Sequence, residues 1–451
     1  MHKLRPYQRR AVKYLLAHKR GALFMEMRLG KTLCVLRALK ACAPARARVL
    51  VVAPNAALGS WEQEAVSESL RFCYLTGTAQ IRRRELEQGW TGGGLFLINK
   101  EGWRALPEIA GKAWDAVVLD ESTFIKNPKA KVTRFFLQHF SAIPRKWILT
   151  GTPCPESEAD YWCQLAFLHG HAFGFRSFWD FRARSMRPSY SGYGWVLKAG
   201  EADRMRRQVG RTCFVLRRKD VHLEKVRVKE QRVIEMPRKI RKAYAQMEEE
   251  FECKIDDVEA STMWSGAKFA HLRQLCGGVL NKQWVWDGKL DELLHLLQGE
   301  LSGEKVVVWC CFNLEVHHLC EAIQKKGIRV AALTGADKPD ARRAVFGAFQ
   351  KSTGPRVLVL QQAIAQMGVD LSASDTAIYY SSPVGQMARR QTEDRIVSVA
   401  KDSPLLYIDL VVDDSVDEDV LELLEKKVKR GDLSLTRALQ RAMKERKLWT
   451  K

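Results

Sequence analysis

Short apolar runs alternate with helix-like stretches along most of the chain, and this alternation is the strongest constraint on its fold. In the first half the runs are "GALFM", "RVLVVAP", "GLFLIN", "DAVVLDE" and "RKWILTGT". In the second half they are "EKVVVWC", "IRVAAL", "RVLVL", "TAIYY" and "PLLYIDLV". Apolar strands separated by helices form parallel sheets that are covered on both faces. The sequence therefore predicts an α/β fold with two lobes, each a parallel sheet flanked by helices.

The alternation fades in the middle of the chain, between about residues 161 and 255, where aromatic and basic residues are frequent. We therefore predict a first lobe over residues 1–160, a mostly helical, basic insertion and linker over 161–255, and a second lobe over 256–425. Residues 426–451 read as a basic helical tail. No apolar run approaches the ~18 residues of a membrane span, so we expect no membrane partner.

The charge balance points to a polyanionic partner. Lys and Arg number 74 and Asp and Glu number 52, which gives a net charge of +22. An excess of this size favours nucleic acid. A basic protein with no such partner is the alternative on charge alone.

A phosphate-binding loop is suggested by "GALFMEMRLGKTL", which reads as a strand, a turn and then a helix. Gly30, Lys31 and Thr32 match the end of the pattern G-x-x-x-x-G-K-[ST], but Met25 stands where its first glycine belongs. In such a loop the helix N-terminus and the lysine hold phosphates, and the threonine hydroxyl ligates Mg²⁺. A bare "GKT" is common by chance, so its position between strand and helix carries the argument.

Two carboxylates, Asp120 and Glu121, end a later strand in "AVVLDEST". Beside a phosphate loop, the first carboxylate can hold Mg²⁺ and the second can orient or deprotonate the attacking water. Taken alone, such a pair is more often a solvated strand end. The next strand ends in "LTGTP", which suits a hinge that senses the phosphate, or else a simple turn.

The ordered set of motifs resembles the SWI/SNF-type DNA-translocating ATPases, a branch of helicase superfamily two. In the first lobe the similar segments are "LRPYQRRAV", "MRLGKT", "APNAALGSWEQE", "LDESTFIKNP" and "LTGTP". In the second they are "GEKVVVWCCF", "LTG", "ARRAVFGAFQ", "QMGVDLSASDTAIYY" and "QTEDRIVSV". Each motif is degenerate, but their joint order is specific and covers the chain from Leu4 to about Val420.

The resemblance implies two RecA-like lobes, ATP and Mg²⁺ as cofactors, and a set of site residues. Catalytic roles fall on Lys31, Asp120, Glu121 and Arg395, and metal binding on Thr32 and Asp120. Nucleotide contacts fall on Gln8, Gly30, Lys31, Thr32, Gly368, Asp370 and Gln391.

Several positions depart from the family pattern. Arg28 replaces a glycine, and we expect the loop to tolerate it with a negative φ at that residue. Ser122 and Thr123 stand where Ala and His are usual, and Glu156 stands about where an Asn is common. Ser398 replaces a second arginine of the last motif, so Arg395 is left to supply the arginine finger. Arg389 and Arg390 read as solvated helix residues.

The resemblance implies a DNA-stimulated ATPase that moves along duplex DNA through its phosphate backbone and remodels DNA or protein–DNA complexes. Two alternatives remain open: an ATP-gated DNA clamp or recruiter with weak hydrolysis, and a strand-separating helicase. A chain of this length suits a compact, monomeric motor with a separate nuclease or replication protein as partner. We expect a cytoplasmic location in a bacterial or phage-infected cell, or the nucleus in a eukaryote.

Overall fold

The computed structural model of the chain describes residues 3–44, 46–155, 157–189, 194–221, 226–250, 252–256, 258–261, 265–367, 369–398, 401 and 403–429. Three positions or segments named above, Glu156, Gly368 and residues 430–451, lie outside the described residues. The chain divides into two compact units, Met1–Glu224 and Lys225–Lys451. No helix among the described residues is long and apolar enough to cross a membrane.

Unit 1 is built on a seven-stranded sheet with the order β3-β4-β2-β5-β6-β1-β9, and all its strand pairs are parallel. Its strands are β1 (Arg20–Met25), β2 (Arg48–Ala53), β3 (Phe72–Tyr74), β4 (Gly94–Asn99), β5 (Ala116–Asp120), β6 (Arg145–Thr150), β7 (Met186–Pro188), β8 (Trp195–Leu197) and β9 (Phe214–Leu216). Its helices are α1 (Pro6–Ala17), α2 (Lys31–Cys42), α3 (Asn55–Ser67), α4 (Ala79–Trp90), α5 (Lys131–His139), α6 (Tyr161–His169), α7 (Phe178–Ser185) and α8 (Glu201–Thr212). Strands β7 and β8 form a separate antiparallel hairpin.

Unit 2 is built on a six-stranded sheet with the order β10-β19-β18-β15-β17-β16, again parallel throughout. Its strands are β10 (Arg227–Ile234), β11 (Glu252–Ile255), β12 (Val258–Ser261), β13 (Val279–Leu280), β14 (Gln283–Trp284), β15 (Val306–Cys310), β16 (Val330–Leu333), β17 (Val357–Gln361), β18 (Thr376–Tyr379) and β19 (Leu405–Val412). Its helices are α9 (Arg238–Glu250), α10 (Ser265–Cys276), α11 (Gly288–Gln298), α12 (Asn313–Lys325), α13 (Pro339–Phe349), α14 (Gln386–Glu393) and α15 (Val416–Lys429).

The core of each unit lies on both faces of its sheet, because neighbouring strand residues point in opposite directions. On β5, Val117 and Leu119 pack in one cluster with α5 and α6, while Ala116 and Val118 pack in another with α2 and α3. All four are almost fully buried. This two-sided burial explains the uninterrupted apolar runs, and the prediction of two α/β lobes with parallel sheets is confirmed.

The middle of the chain is divided between the units instead of forming a body of its own. Strand β9 pairs with β1, and β10 pairs with β19 over eight residues. Residues 161–255 contribute helices α6, α7, α8 and α9 as well as these strands. The sequence pattern did not predict strand β10, because this edge strand exposes Val228 and Val233 and so lacks a continuous apolar run. The predicted boundary at residue 425 falls inside α15. The bounds of the insertion and linker, residues 161–255, stay a prediction.

Candidate active site

Three neighbouring strands of unit 1 end at the same edge of the sheet and carry the predicted site. Strand β6 lies between β5 and β1, with Leu149 beside Asp120 and Thr150 beside Phe24. Because the strands are parallel, the loop after Met25, the carboxylates after Leu119 and the turn after Thr150 leave the sheet together. Ligands of α/β sheets bind at this carboxyl edge.

The phosphate loop, residues 26–30, runs from β1 into α2. Gly30 directly precedes the helix with a left-handed backbone (φ 77°), and it has no side chain that could bond the first N–H groups of α2. An uncapped helix N-terminus offers N–H donors and a positive dipole end to an anion. The side chain of Lys31 folds back across the loop, and its Nζ donates to the carbonyl of Met25 at 3.0 Å.

Arg28 does not keep the negative φ that we expected, since its φ is 67°. The loop needs a left-handed residue at this point, and a glycine would adopt that conformation without strain. For an arginine the left-handed conformation costs about 1–2 kcal/mol. The loop therefore keeps its shape and carries a local backbone strain that a glycine would avoid.

Gln8 is buried against the phosphate loop. Its Nε2 donates to the carbonyl of Leu29 at 3.3 Å, and its Oε1 accepts from the backbone N–H of Arg5 at 2.9 Å. A Cβ at position 30 would lie 2.4 Å from Gln8 Nε2, so a side chain there would displace the Gln8 amide from the loop, and the left-handed φ of Gly30 favours glycine independently. Helix α1 begins with Pro6 at its first position, which suits a helix start.

Asp120 lies at the end of β5 with only 7% of its surface exposed. Its Oδ2 accepts from the indole Nε1–H of Trp61 at 2.8 Å, and its Oδ1 accepts from the backbone N–H of Glu121 at 2.9 Å. Burial, and to a lesser extent the charge of Glu121, raise the pKa of the Asp120 carboxyl to about 6, against the opposing effects of the Trp61 hydrogen bond and the charge of Lys31. Each carboxylate oxygen keeps a lone pair for a further ligand.

Glu121 takes a left-handed backbone (φ 47°), which turns its side chain from the strand toward the neighbouring β6. The hydroxyl of Thr150 donates to Glu121 Oε2 at 3.0 Å and accepts from the N–H of Thr152 at 3.1 Å. The "LTGTP" motif thus contacts the second carboxylate directly. It also approaches the phosphate loop, because a Cβ on Gly151 would lie 3.3 Å from the backbone N of Met27.

Ser122 and Gln164 brace this turn from behind. Ser122 Oγ donates to Gln164 Oε1 at 2.7 Å, and Gln164 Nε2 donates to the carbonyl of Pro153 at 2.6 Å. The sequence reasoning missed Gln164, although a single amide within the apolar helix "YWCQLAFLH" was a usable signal. It also left the bond between Trp61 and Asp120 unassigned, since nothing local joins residues 59 positions apart.

These residues fit a magnesium–nucleotide complex. The helix N-terminus and Lys31 suit phosphates, while Thr32 and Asp120 offer the hard oxygen ligands that Mg²⁺ prefers. Thr32 follows Lys31 in the first turn of α2, and it is partly exposed.

In unit 2 the predicted residues lie on two segments that contact each other. Arg395 follows α14 and is buried; its Nε donates to the carbonyl of Ala365 at 2.7 Å. The N–H of Leu371 donates to the carbonyl of Arg395 at 3.1 Å, so the last two motifs are held together. Asp370 is exposed and its Oδ1 accepts from the N–H of Ser372, while Gln391 is partly exposed on α14.

Arg389 is not the solvated helix residue that we expected. It is 6% exposed and bonds both carboxylate oxygens of Asp409, at 2.5 and 2.8 Å. Its Nε donates to Glu393 at 3.0 Å, and its guanidinium lies 3.4 Å from the ring centroid of Tyr379. Arg389 thus anchors α14 to the sheet. Arg390 is exposed, as expected.

Two protein families match the chain. The SNF2-related domain matches residues 7–277, and the helicase conserved C-terminal domain matches residues 288–399.

The relatives that the chain resembles differ in length. It is 23% identical, over 94% of its length and 44% of the relative's, to SWI/SNF-related matrix-associated actin-dependent regulator of chromatin subfamily A-like protein 1 of Xenopus tropicalis. It is 24% identical, over 96% of its length and 97% of the relative's, to protein p41 of Acyrthosiphon pisum secondary endosymbiont phage 1. The chain therefore spans less than half of that chromatin regulator and nearly all of the phage protein. A solved Sulfolobus solfataricus SWI2/SNF2 ATPase core in complex with dsDNA is 17% identical, with a TM-score of 0.45, over 97% of this chain and 94% of that one.

Proposed function

The chain belongs to the SNF2-related family, and from that premise we propose that it is an ATPase that uses hydrolysis to move along duplex DNA. Three features that lie at one edge of the sheet carry the proposal. They are the uncapped N-terminus of α2, the buried carboxylate of Asp120, and the carboxylate of Glu121, which accepts a hydrogen bond from Thr150 of the next motif. P-loop ATPases cradle the phosphates at such a helix start, hold Mg²⁺ with an aspartate and position the attacking water with a further group.

ATP binding falls to the phosphate loop. The N–H groups at the start of α2 and the ammonium of Lys31 would hold the phosphates, with Gln8 beside the same loop as a nucleotide contact. Thr32 and Asp120 would hold Mg²⁺, which when bound neutralises developing phosphate charge as a Lewis acid. Asp370 and Gln391 stay proposed nucleotide contacts of unit 2, as does Gly368.

Hydrolysis falls to Glu121 as the group that orients or deprotonates the attacking water. The hydroxyl of Thr150 holds one of its oxygens in place at 3.0 Å, which leaves the other to act on water. Proton transfer by a positioned carboxylate contributes about 10²–10⁴-fold in rate. Arg395 is the proposed arginine finger, and Ser398 supplies no second charge.

Duplex DNA is the proposed track, contacted through its phosphates and without preference for base sequence. The net charge of +22 supports this. The contacts would come from the first-lobe segment after "VVAP", from the region of Gln362, and from basic residues of 161–255. A separate nuclease or replication protein would supply the biological specificity, and the motor would act as a monomer.

An ATPase assay with no nucleic acid, single-stranded DNA, duplex DNA and RNA tests the proposal. We expect the largest stimulation with duplex DNA. Lys31→Ala should lower turnover by about 10²–10³-fold or more, since it removes a charge from the phosphates. Glu121→Gln should keep ATP binding and stop hydrolysis. Lys40→Ala, on the same helix and remote from the loop, is the matched control and should behave like wild type.

Turnover at the wild-type rate in Glu121→Gln would show that another group activates the water. ATP-dependent DNA binding without turnover in the wild type would favour the DNA clamp. Unwinding of a tailed duplex would favour the strand-separating helicase.

A further inference from the structure

Two tryptophans and an arginine form a stack on the surface of unit 1, which we call the tryptophan clamp (Trp179, Arg182 and Trp195). Trp179 and Arg182 lie three positions apart on α7, and Trp195 begins β8 of the adjoining hairpin, opposite Pro188. The guanidinium carbon of Arg182 is 4.7 Å from the Trp179 ring centroid and 4.5 Å from that of Trp195. The arginine is therefore placed for a cation–π contact with both indoles.

The two indoles of the clamp are exposed, although α7 is anchored in the core through other residues. Phe181 is fully buried, and Phe178 packs edge-on against Trp162. Trp179 and Trp195 remain 46% and 41% exposed, and every other tryptophan among the described residues is buried or only partly exposed. Paired exposed indoles that are already ordered lose little conformational freedom on binding a flat partner.

The surroundings of the clamp are basic. Between residues 176 and 198 the described residues include five basic side chains and one acidic side chain, Asp180. Asp180 is itself paired with Arg184 at 2.8 Å. The exposed basic residues include Arg176, Arg187 and Lys198. An acidic partner is therefore favoured, and aromatic surface with basic charge is the combination that binds single-stranded nucleic acid.

The clamp also contacts the segment that follows the catalytic carboxylates. Lys129 lies nine residues after Asp120, and its Nζ is 5.8 Å from the Trp179 ring centroid. Lys126 of the same segment pairs with Asp160, just before α6. A ligand on the clamp would thus lie against the chain that leaves the proposed hydrolysis site.

We propose that the tryptophan clamp binds the unpaired bases of a single-stranded tail next to duplex DNA. Indole faces stack on base faces, which are covered inside a duplex and open only where the strands part, while Arg176, Arg187 and Lys198 bind the tail's phosphates. The inference rests on the proposed function in one respect, because it assigns that motor a junction of duplex and single strand as its substrate. The binding itself needs no ATP.

The test measures the dissociation constant of the full chain, without ATP, for two kinds of labelled probe. One is a blunt duplex, and the other is the same duplex with a single-stranded tail, either of thymidine (DNA) or of uridine (RNA). We expect tighter binding of tailed probes. Trp179→Ala and Trp195→Ala should each weaken tailed binding by roughly 5- to 150-fold, the range for loss of one base stack, and leave blunt-duplex binding unchanged. Phenylalanine at either position should retain most of the preference. Arg184→Ala removes a charge from the same helix outside the clamp and should affect both probes alike.

Intrinsic fluorescence provides a second measurement that does not need the alanine variants to fold. A thymidine oligonucleotide should quench part of the wild-type signal, and the double variant Trp179→Phe/Trp195→Phe should bind it with the quenching lost. Equal wild-type affinity for blunt and tailed probes, or unchanged quenching in the double variant, would overturn the proposal. If tail binding fails these tests but duplex DNA still stimulates ATP turnover, the tail-binding proposal is wrong and the proposed function stands. If the tail binds as expected but no ATP turnover is found, the proposed function is wrong and the tail-binding site stands. A preference between DNA and RNA tails identifies the nucleic acid.

Discussion

Arg28 is the one residue of the phosphate loop that adopts a conformation unsuited to its type. Its φ of 67° is left-handed, and its position is one that the related ATPases fill with glycine. Arg28→Gly and Arg28→Ala both delete the side chain, but only glycine removes the strain. We expect the glycine variant to be the more stable by about 1–2 kcal/mol. Chemical denaturation of the two proteins, followed by a probe in unit 1, measures the difference. Equal stabilities would mean that the loop relaxes to another backbone conformation in solution.

The carboxyl of Asp120 should make stability depend on pH. Burial raises its pKa to about 6, above the unfolded value near 3.8, so the folded protein binds the proton more tightly. Stability should then fall as pH rises from about 4 to 6, by about 3 kcal/mol at most, and stay level above that. Asp120→Asn has no proton to lose and should lack this fall.

Thermal denaturation of both proteins between about pH 4 and 7, in a chelator that removes Mg²⁺, compares the two profiles. Asparagine accepts only one of the two hydrogen bonds from Trp61 and Glu121, so the variant should be less stable at every pH. The comparison therefore concerns how stability changes with pH in each protein, and not its absolute value. Parallel profiles would show that Asp120 titrates at its ordinary pKa.

Arg389 on helix α14 and Arg395 just after it should lose activity for different reasons when replaced. Arg389→Ala would leave the buried Asp409 without the arginine that bonds both its oxygens, which costs about 3–5 kcal/mol, while Glu393 keeps its bonds from Arg227 and Lys229. Its turnover should therefore fall together with its melting temperature. Arg395→Ala should lose turnover to nearly the same extent as Lys31→Ala at a temperature where it remains folded, because it removes the proposed finger.

Ser398→Arg tests the same element in the opposite direction. Restoring a charge at the position of the family's second arginine should raise turnover at saturating duplex DNA, if the segment after α14 keeps the family geometry. The melting temperature of each variant separates chemistry from folding. If Arg395→Ala turned over ATP at the wild-type rate, and Arg389→Ala lost turnover at a temperature where it remains folded, the arginine finger would be Arg389.

For the whole molecule, charge should govern association with DNA. Each phosphate that a basic side chain neutralises releases counterions, so the affinity falls steeply with salt. For about six to ten phosphate contacts the loss between about 50 and 200 mM salt is about 10³–10⁵-fold. Titrations of two duplexes of unrelated sequence across this range should give similar steep slopes. A flat salt dependence, or a large difference between the two sequences, would contradict binding through the backbone.

The α/β architecture was accessible from sequence because strands buried on both faces leave long apolar runs. Strand β10 was not, since an edge strand has one unpaired side and exposes Val228 and Val233. The same applies to β9, whose three residues are too short to show a period. The middle of the chain was therefore assigned to an insertion, although its ends complete the two sheets.

The sequence by itself determined the two parallel sheets, the phosphate loop and the acidic pair, because each depends on residues that are neighbours in the chain. Only the tertiary structure decided which of those residues have partners. Trp61 bonds Asp120, Arg389 is buried against Asp409, and Arg182 lies between two exposed indoles. Apart from the contact of Arg182 with Trp179 on the same helix, these contacts join positions distant in sequence, so local periodicity and spacing carry no record of them. The backbone of Arg28 belongs to the same class, because the turn between β1 and α2 imposes a left-handed φ that its side chain would not choose.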